Sequence, residues 1–217
     1  MTPFLPQSGL KDILCRAPVV PVVVIEKLVG AASLARALVA GGLSAIEVTL
    51  RTKAALEAIR IIAAEVEGAV VGAGTVLNPR QLEAAREAGA RFAVSPGATD
   101  ALGVPLLPGV ANASEAMALI ARGYQFAKFF PAEPAGGTPY LKALASPLPQ
   151  LQFCPTGGLT LETAPNYLAL RNVVCVGGSW MLRPEAIAAH DWEAVTVASK
   201  QAARLRKCNG KCVHRGS

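Results

Sequence analysis

Apolar positions along the chain fall into two alternating rhythms. Short β-branched runs such as PVVPVVVI (18–25) have the composition of strands buried in a parallel sheet. Between such runs the apolar positions recur at helical spacing, as with Leu34, Leu38 and Val39 between Gly30 and Gly41. AIEVTL (45–50), a helix over 52–65 and GAVVGAG (68–74) continue the pattern. Pro79 suits a first helical turn, and QLEAAREAG closes at Gly89. RFAVSPG (91–97) reads as the fourth strand and VPLLPGV (104–110) as the fifth. A helix over 114–123 takes Ser114 as its N-cap, and YQFAKFF (124–130) is the sixth strand. A helix over 136–146, the strand LQFC (151–154), a helix over 161–170 and the strand NVVCVGG (172–178) follow. A last helix runs from Pro184 towards Lys207.

Strands mostly followed by helices predict a parallel α/β architecture. Eight such repeats, with a helix ahead of the first strand, favour a (β/α)₈ TIM barrel over a doubly wound open sheet. Counting strands does not prove closure. One link departs from the rhythm: only ATDALG (98–103) separates Gly97 from Val104. A parallel crossover normally takes a dozen or more residues, usually a helix, so either a tight loop bridges this point or one crossover helix is missing between the fourth and fifth strands.

Composition narrows the class. The chain has 217 residues, 52% of them hydrophobic and 17% charged, which excludes a disordered protein. No apolar run reaches the roughly 20 residues of a membrane span, and MTPFLPQSGLKDIL lacks the basic start and apolar stretch of a signal peptide. A soluble, cytoplasmic protein without a membrane partner is expected. The net charge of +6 suggests nucleic acid until it is located. Lys200, Arg204, Arg206, Lys207, Lys211 and Arg215 follow the last acid, and the body before them is neutral. With aromatics at 5%, base-stacking platforms are scarce, and no nucleic-acid partner is expected. We expect one barrel domain over 1–206 and a basic tail over 207–217. Cys154 and Cys175, in apolar runs, read as small buried hydrophobes, and a disulfide scaffold is not expected. Cys208, Cys212 and His214 superficially resemble metal ligands, but three candidates in a tail without a core read better as a loose end.

Candidate chemistry comes from strand alternation. In AIEVTLR (45–51), Glu47, Thr49 and Arg51 share one face while Ile46, Val48 and Leu50 share the other. In a barrel the apolar set packs on the helices, which sends the polar set inward. A buried Glu–Arg pair holding the interior together is one reading. A catalytic site is the other, because Arg51 lies at the strand's C-terminal end, where barrel enzymes build their sites. Lys128 is the only cation in the apolar sixth strand. Burial penalises its charge, and a neutral amine is the nucleophile that Schiff-base chemistry requires; a lysine that snorkels to the rim is the alternative. Strands two and six face each other in an eight-stranded barrel, so Glu47 and Lys128 could share a layer. Gly72-Ala73-Gly74-Thr75, Pro155-Thr156-Gly157-Gly158 and Gly177-Gly178-Ser179 end strands three, seven and eight. The last two occupy the loops where barrels frequently hold phosphate, although ordinary turns also use glycine. With Leu77 in the place of a third glycine, the Gly72 segment is no dinucleotide fingerprint. Only His190 and His214 are histidines, so a Ser–His–Asp triad or a His-rich metal site is hard to build. Glu133 could cap or bind.

EVTLRT (47–52), GAGTV (72–76), SPG (95–97), PLLPGV (105–110), KFFPAE (128–133), FCPTGG (153–158) and GGSW (177–180) together resemble the bacterial 2-keto-3-deoxy-6-phosphogluconate (KDPG) aldolases and the related 4-hydroxy-2-oxoglutarate (KHG) aldolases. The likeness runs from about Pro18 to Trp180 in the family's order. It implies a (β/α)₈ barrel, a homotrimer and a metal-independent aldolase with no cofactor. The implied reaction cleaves KDPG to pyruvate and glyceraldehyde 3-phosphate in the Entner–Doudoroff pathway, with KHG to pyruvate and glyoxylate as a second activity. By the same resemblance Lys128 is the Schiff-base lysine and Glu47 the general acid/base. Arg51 and Thr75 hold the keto-acid carboxylate, with Thr156 lining the site, and Gly157, Gly158, Gly178 and Ser179 contact phosphate. The short link after SPG and the cysteine-bearing tail depart from the family pattern. The alternatives are a phosphate-binding barrel isomerase and a non-catalytic binding protein, both without imine chemistry.

Overall fold

A computed structural model describes residues 7, 9–98 and 104–205. The basic tail, with Cys208, Cys212 and His214, and most of the ATDALG link lie outside the described residues. The chain begins its regular structure with α1 (Leu10–Leu14) and β1 (Val19–Val23). Strands β2 (Ala45–Thr49), β3 (Val70–Gly74), β4 (Ala93–Val94), β5 (Leu106–Leu107), β6 (Gly109–Val110), β7 (Phe126–Phe129), β8 (Gln152–Pro155) and β9 (Val176–Gly178) follow. All their pairings are parallel. One sheet has the order β5-β4-β3-β2-β1-β9 and curves as a half-barrel, and a second has the order β6-β7-β8. Two isolated bridges, Phe153 to Val173 and Thr156 to Gly177, join β8 to the β9 side.

The expected fifth strand is broken in two. Pro108 has no N–H to give to a ladder, so β5 pairs with β4 and β6 with β7 on either side of it. Its carbonyl still accepts from the Lys128 N–H at 2.8 Å. A side chain far away in sequence crosses this break. The Gln7 amide donates to the carbonyls of Leu106 (2.9 Å) and Phe126 (2.7 Å), and accepts from the N–H groups of Gln125 and Phe126. Those bonds use both donors and both lone pairs of one amide. In the link between β4 and β5 no helix occurs among the described residues.

Helices α2 (Ala31–Ala40), α3 (Ala55–Glu65), α4 (Pro79–Glu87), α5 (Ala113–Ala121), α6 (Gly137–Leu144) and α7 (Ala164–Leu168) fall where the helical spacing predicts them. Ser114 is not the cap of α5. Asn112 is, its side chain accepting from the Glu115 N–H at 3.0 Å, while Glu115 reaches back to the Ala111 N–H at 2.7 Å. The last helix is two, α8 (Pro184–Ala188) and α9 (Trp192–Ala203). His190, at φ 52, turns the chain between them, and the Asp191 carboxylate caps α9. Among the described residues no helix is long and apolar enough to cross a membrane.

Apolar burial divides in two. Ile46, Val48 and their counterparts pack between the sheets and the helices. A second cluster, including Leu10, Leu14, Val20, Phe92, Leu107 and Phe126, fills the inner face beneath the strands' C-terminal ends. Cys154 and Cys175 belong to that inner cluster as free, buried thiols. Cys15, which caps α1, is disulfide-bonded, a bond the composition did not anticipate.

Candidate active site

The alternation in β2 has the consequence expected of it. Ile46 and Val48 face the helices, and Glu47 turns to the inner face, where only 3% of its surface is exposed. Lys128 reaches the same place from β7 and is 5% exposed. Its Nζ donates to Glu47 Oε1 at 3.3 Å, an ion pair formed across 81 residues of sequence. The snorkelling alternative is therefore ruled out. Nζ also lies 5.1 Å from the centre of the Phe130 ring, just past the end of β7. Glycine at position 74 is required here, because a Cβ would collide with the Glu47 carboxylate.

Arg51 differs from expectation. It continues the polar face of β2, but the strand has ended by then and the guanidinium is exposed at the rim rather than buried. Glu47 thus pairs with Lys128, not with Arg51. The Nε of Arg51 donates to Thr75 Oγ1 at 3.2 Å. Thr75 sits at φ 58, a left-handed conformation that costs a β-branched residue about 1–3 kcal/mol. Thr49, fully buried, donates to the Val23 carbonyl, and Thr52 to the Ile25 carbonyl, which ties the end of β2 to the end of β1.

On the far side, the Thr156–Gly177 bridge lays the start of the loop after β8 beside β9. Thr156 is buried, while Gly158 and Ser179 are exposed beside it and Gly178 is buried. Gly157 packs on Phe130, and Gly158, at φ 84, packs under Glu133, where a Cβ would approach Glu133 Cγ to 2.8 Å. The Glu133 carboxylate accepts from Tyr167 Oη at 2.8 Å. Burial first, and this carboxylate second, push the Tyr167 phenol above the ordinary tyrosine range. Its hydrogen bond with Cys175 and its burial hold the Cys154 thiol well above the usual range, so it stays a neutral neighbour rather than a nucleophile. Sequence reasoning passed over Phe130, which follows the end of β7, where strand alternation no longer applies. Nothing local in the sequence pointed to Tyr167.

His190 stands apart between α8 and α9, stacked on Trp192 with ring centres 5.3 Å apart. Among the described residues no three His, Cys, Asp or Glu side chains gather as a metal-binding group. A deeply buried amine against a carboxylate, with donor-bearing loops at one rim and a guanidinium at the other, is suited to carbonyl chemistry on an anionic substrate.

Comparison with known proteins agrees with that chemistry. The family model described as KDPG and KHG aldolase matches residues 10–198. The KHG/KDPG aldolase of Escherichia coli (strain K12) is 48% identical over 203 residues, covering 90% of this chain and 95% of that protein. A KDPG aldolase structure from Zymomonas mobilis ZM4 with 3-phosphoglycerate is 48% identical, with a TM-score of 0.86, and covers 93% of this chain and 98% of that one. A KDPG aldolase from Legionella pneumophila, with pyruvate captured at low pH as a covalent carbinolamine intermediate, is 44% identical. It has a TM-score of 0.86 and covers 89% of this chain and 97% of that one. Fold, buried ion pair and sequence lead to one statement: this chain belongs to the KDPG and KHG aldolase family.

Proposed function

We propose that this chain is a Schiff-base aldolase cleaving KDPG to pyruvate and glyceraldehyde 3-phosphate, with KHG as a second substrate. The observation that carries the reading is the buried Lys128–Glu47 pair at 3.3 Å. Lys128 first passes a proton to Glu47, and the neutral amine then attacks the C2 ketone to give a carbinolamine. Glu47 returns the proton to the departing hydroxyl, so that loss of water leaves an iminium and an ionised Glu47. Glu47 takes the proton of the C4 hydroxyl, the C3–C4 bond breaks, and its electrons pass to the iminium, giving an enamine. Glyceraldehyde 3-phosphate leaves, the enamine is protonated at C3, and hydrolysis frees pyruvate and the amine. The iminium is the electron sink, so this route asks nothing of a metal.

Arg51 offers a two-pronged donor to the keto-acid carboxylate, with Thr75 beside it. Thr156 lines the site, and Gly157, Gly158, Gly178 and Ser179 supply backbone N–H groups and a hydroxyl to the substrate phosphate. Behind this site we read the two sheets as one closed (β/α)₈ barrel. The β8–β9 bridges and the continuity of β5 with β6 support that closure. A single domain over 1–206, a homotrimeric assembly, a cytoplasmic location and a place in the Entner–Doudoroff pathway complete the proposal. Pyruvate with borohydride tests it: a reduced adduct mapped to Lys128 is expected. An unmodified protein would indicate a phosphate-binding barrel without imine chemistry.

A further inference from the structure

The loops after β7 and β8 run side by side. The Ala132 N–H donates to the Thr156 carbonyl at 2.8 Å, and the Glu133 N–H to the Gly157 carbonyl at 3.1 Å. The stem of Glu133 then lies over Gly158, whose positive φ and missing Cβ leave room for it. This puts a carboxylate beside the loop assigned above to the substrate phosphate, and two anions at such range repel. The carboxylate is not free to turn. Its Oε1 accepts from Tyr167 Oη at 2.8 Å, and Tyr167, 1% exposed, belongs to α7, the helix into which the phosphate loop leads. One hydrogen bond thus ties the loop that follows Lys128 to the helix that follows Gly157 and Gly158.

We propose that Tyr167, acting through Glu133, is a positioning residue for phosphorylated substrates. The hydrogen bond holds the Glu133 stem against Gly158, fixing the direction of the loop's N–H groups, and keeps the carboxylate turned away from the bound phosphate. Released, the carboxylate swings towards that phosphate and weakens its binding. A keto acid without a phosphate does not feel the change, and the Lys128–Glu47 pair is left intact. The inference rests on the phosphate assignment made above.

Steady-state kinetics of the full chain on KDPG and KHG test both levels. Tyr167→Phe keeps the ring and removes the donor. It is expected to raise KM for KDPG about five- to tenfold, with kcat within about twofold and KM for KHG unchanged. Adding Glu133→Gln to Tyr167→Phe removes the charge and is expected to restore most of the lost KM. An unchanged KM for KDPG, an equal rise for both substrates, or no rescue by Glu133→Gln would overturn the positioning role. Ser179→Ala, on the neighbouring loop, tests the phosphate assignment separately. If it leaves KM for KDPG unmoved, that assignment fails whatever Tyr167 does; if it raises that KM while Tyr167→Phe does not, only the role of Tyr167 fails.

Discussion

The β2–β3 edge and the β7–β8 edge build opposite sides of the site by different means. Strands β2 and β3 pair in register over five residues, from Ala45 with Val70 to Thr49 with Gly74. On that side the functional groups are side chains held by side chains: Arg51 against Thr75, and Glu47 seated on Gly74. Strands β7 and β8 pair over four residues and carry Lys128, and past their ends our proposal gives the phosphate to the main chain. There the Gly157 and Gly158 backbone is held by the neighbouring loop and by Glu133. In the proposed function the strand-borne charges of Glu47 and Lys128 act at the reacting carbon, while Arg51 and the loop-borne N–H groups, past the strand ends, hold the substrate. Damage to the strands is therefore expected in kcat, and damage to the loops in KM.

Four experiments sharpen that contrast. The largest effect is expected for Lys128→Ala, with kcat down by about 10⁴-fold or more and no borohydride adduct; residual turnover through an adduct elsewhere would break the division at its root. Glu47→Gln comes next. It keeps the shape of the side chain but cannot carry the proton, and a loss of about 10²–10³ in kcat is expected while pyruvate is still trapped on Lys128. Arg51→Lys exchanges a planar fork for a point charge. It is expected to raise KM about tenfold for KDPG and KHG alike, since both carry the carboxylate. That equal response separates the Arg51 rim from the phosphate rim.

The smallest effect is one of pH. Burial and the Glu133 carboxylate favour the neutral Tyr167 phenol, so the folded protein keeps this proton where unfolded tyrosines, at about pH 10, release theirs. The unfolded chain then binds fewer protons, and stability falls as pH rises through that window. Tyr167→Phe is expected to flatten this alkaline slope in urea unfolding. Parallel slopes for variant and parent would remove the electrostatic account of the pair.

Much of this was legible in the sequence, for reasons that differ from residue to residue. Alternation in AIEVTLR placed Glu47 inside because its apolar neighbours had to meet the helices, and a lone cation in YQFAKFF had few other places to be. Arg51 escaped the same rule because β2 stops at Thr49, and alternation says nothing beyond a strand's end. The Pro108 break, the Asn112 cap and the His190 turn are local features whose residues were visible, but their competition with neighbouring signals is settled by tertiary packing. Glu133 meets Tyr167 across 34 positions, and no period or motif encodes that meeting.

Gln7 carries a consequence for how the molecule is made. Its partners lie 99, 118 and 119 positions further along the chain, so this amide leaves the ribosome long before Leu106, Gln125 or Phe126 exists to receive it. The break at Pro108 is thus latched late, by a residue that has waited through most of synthesis. Anything that anchors or shields the stretch around Gln7 leaves four main-chain groups at the break for water to claim.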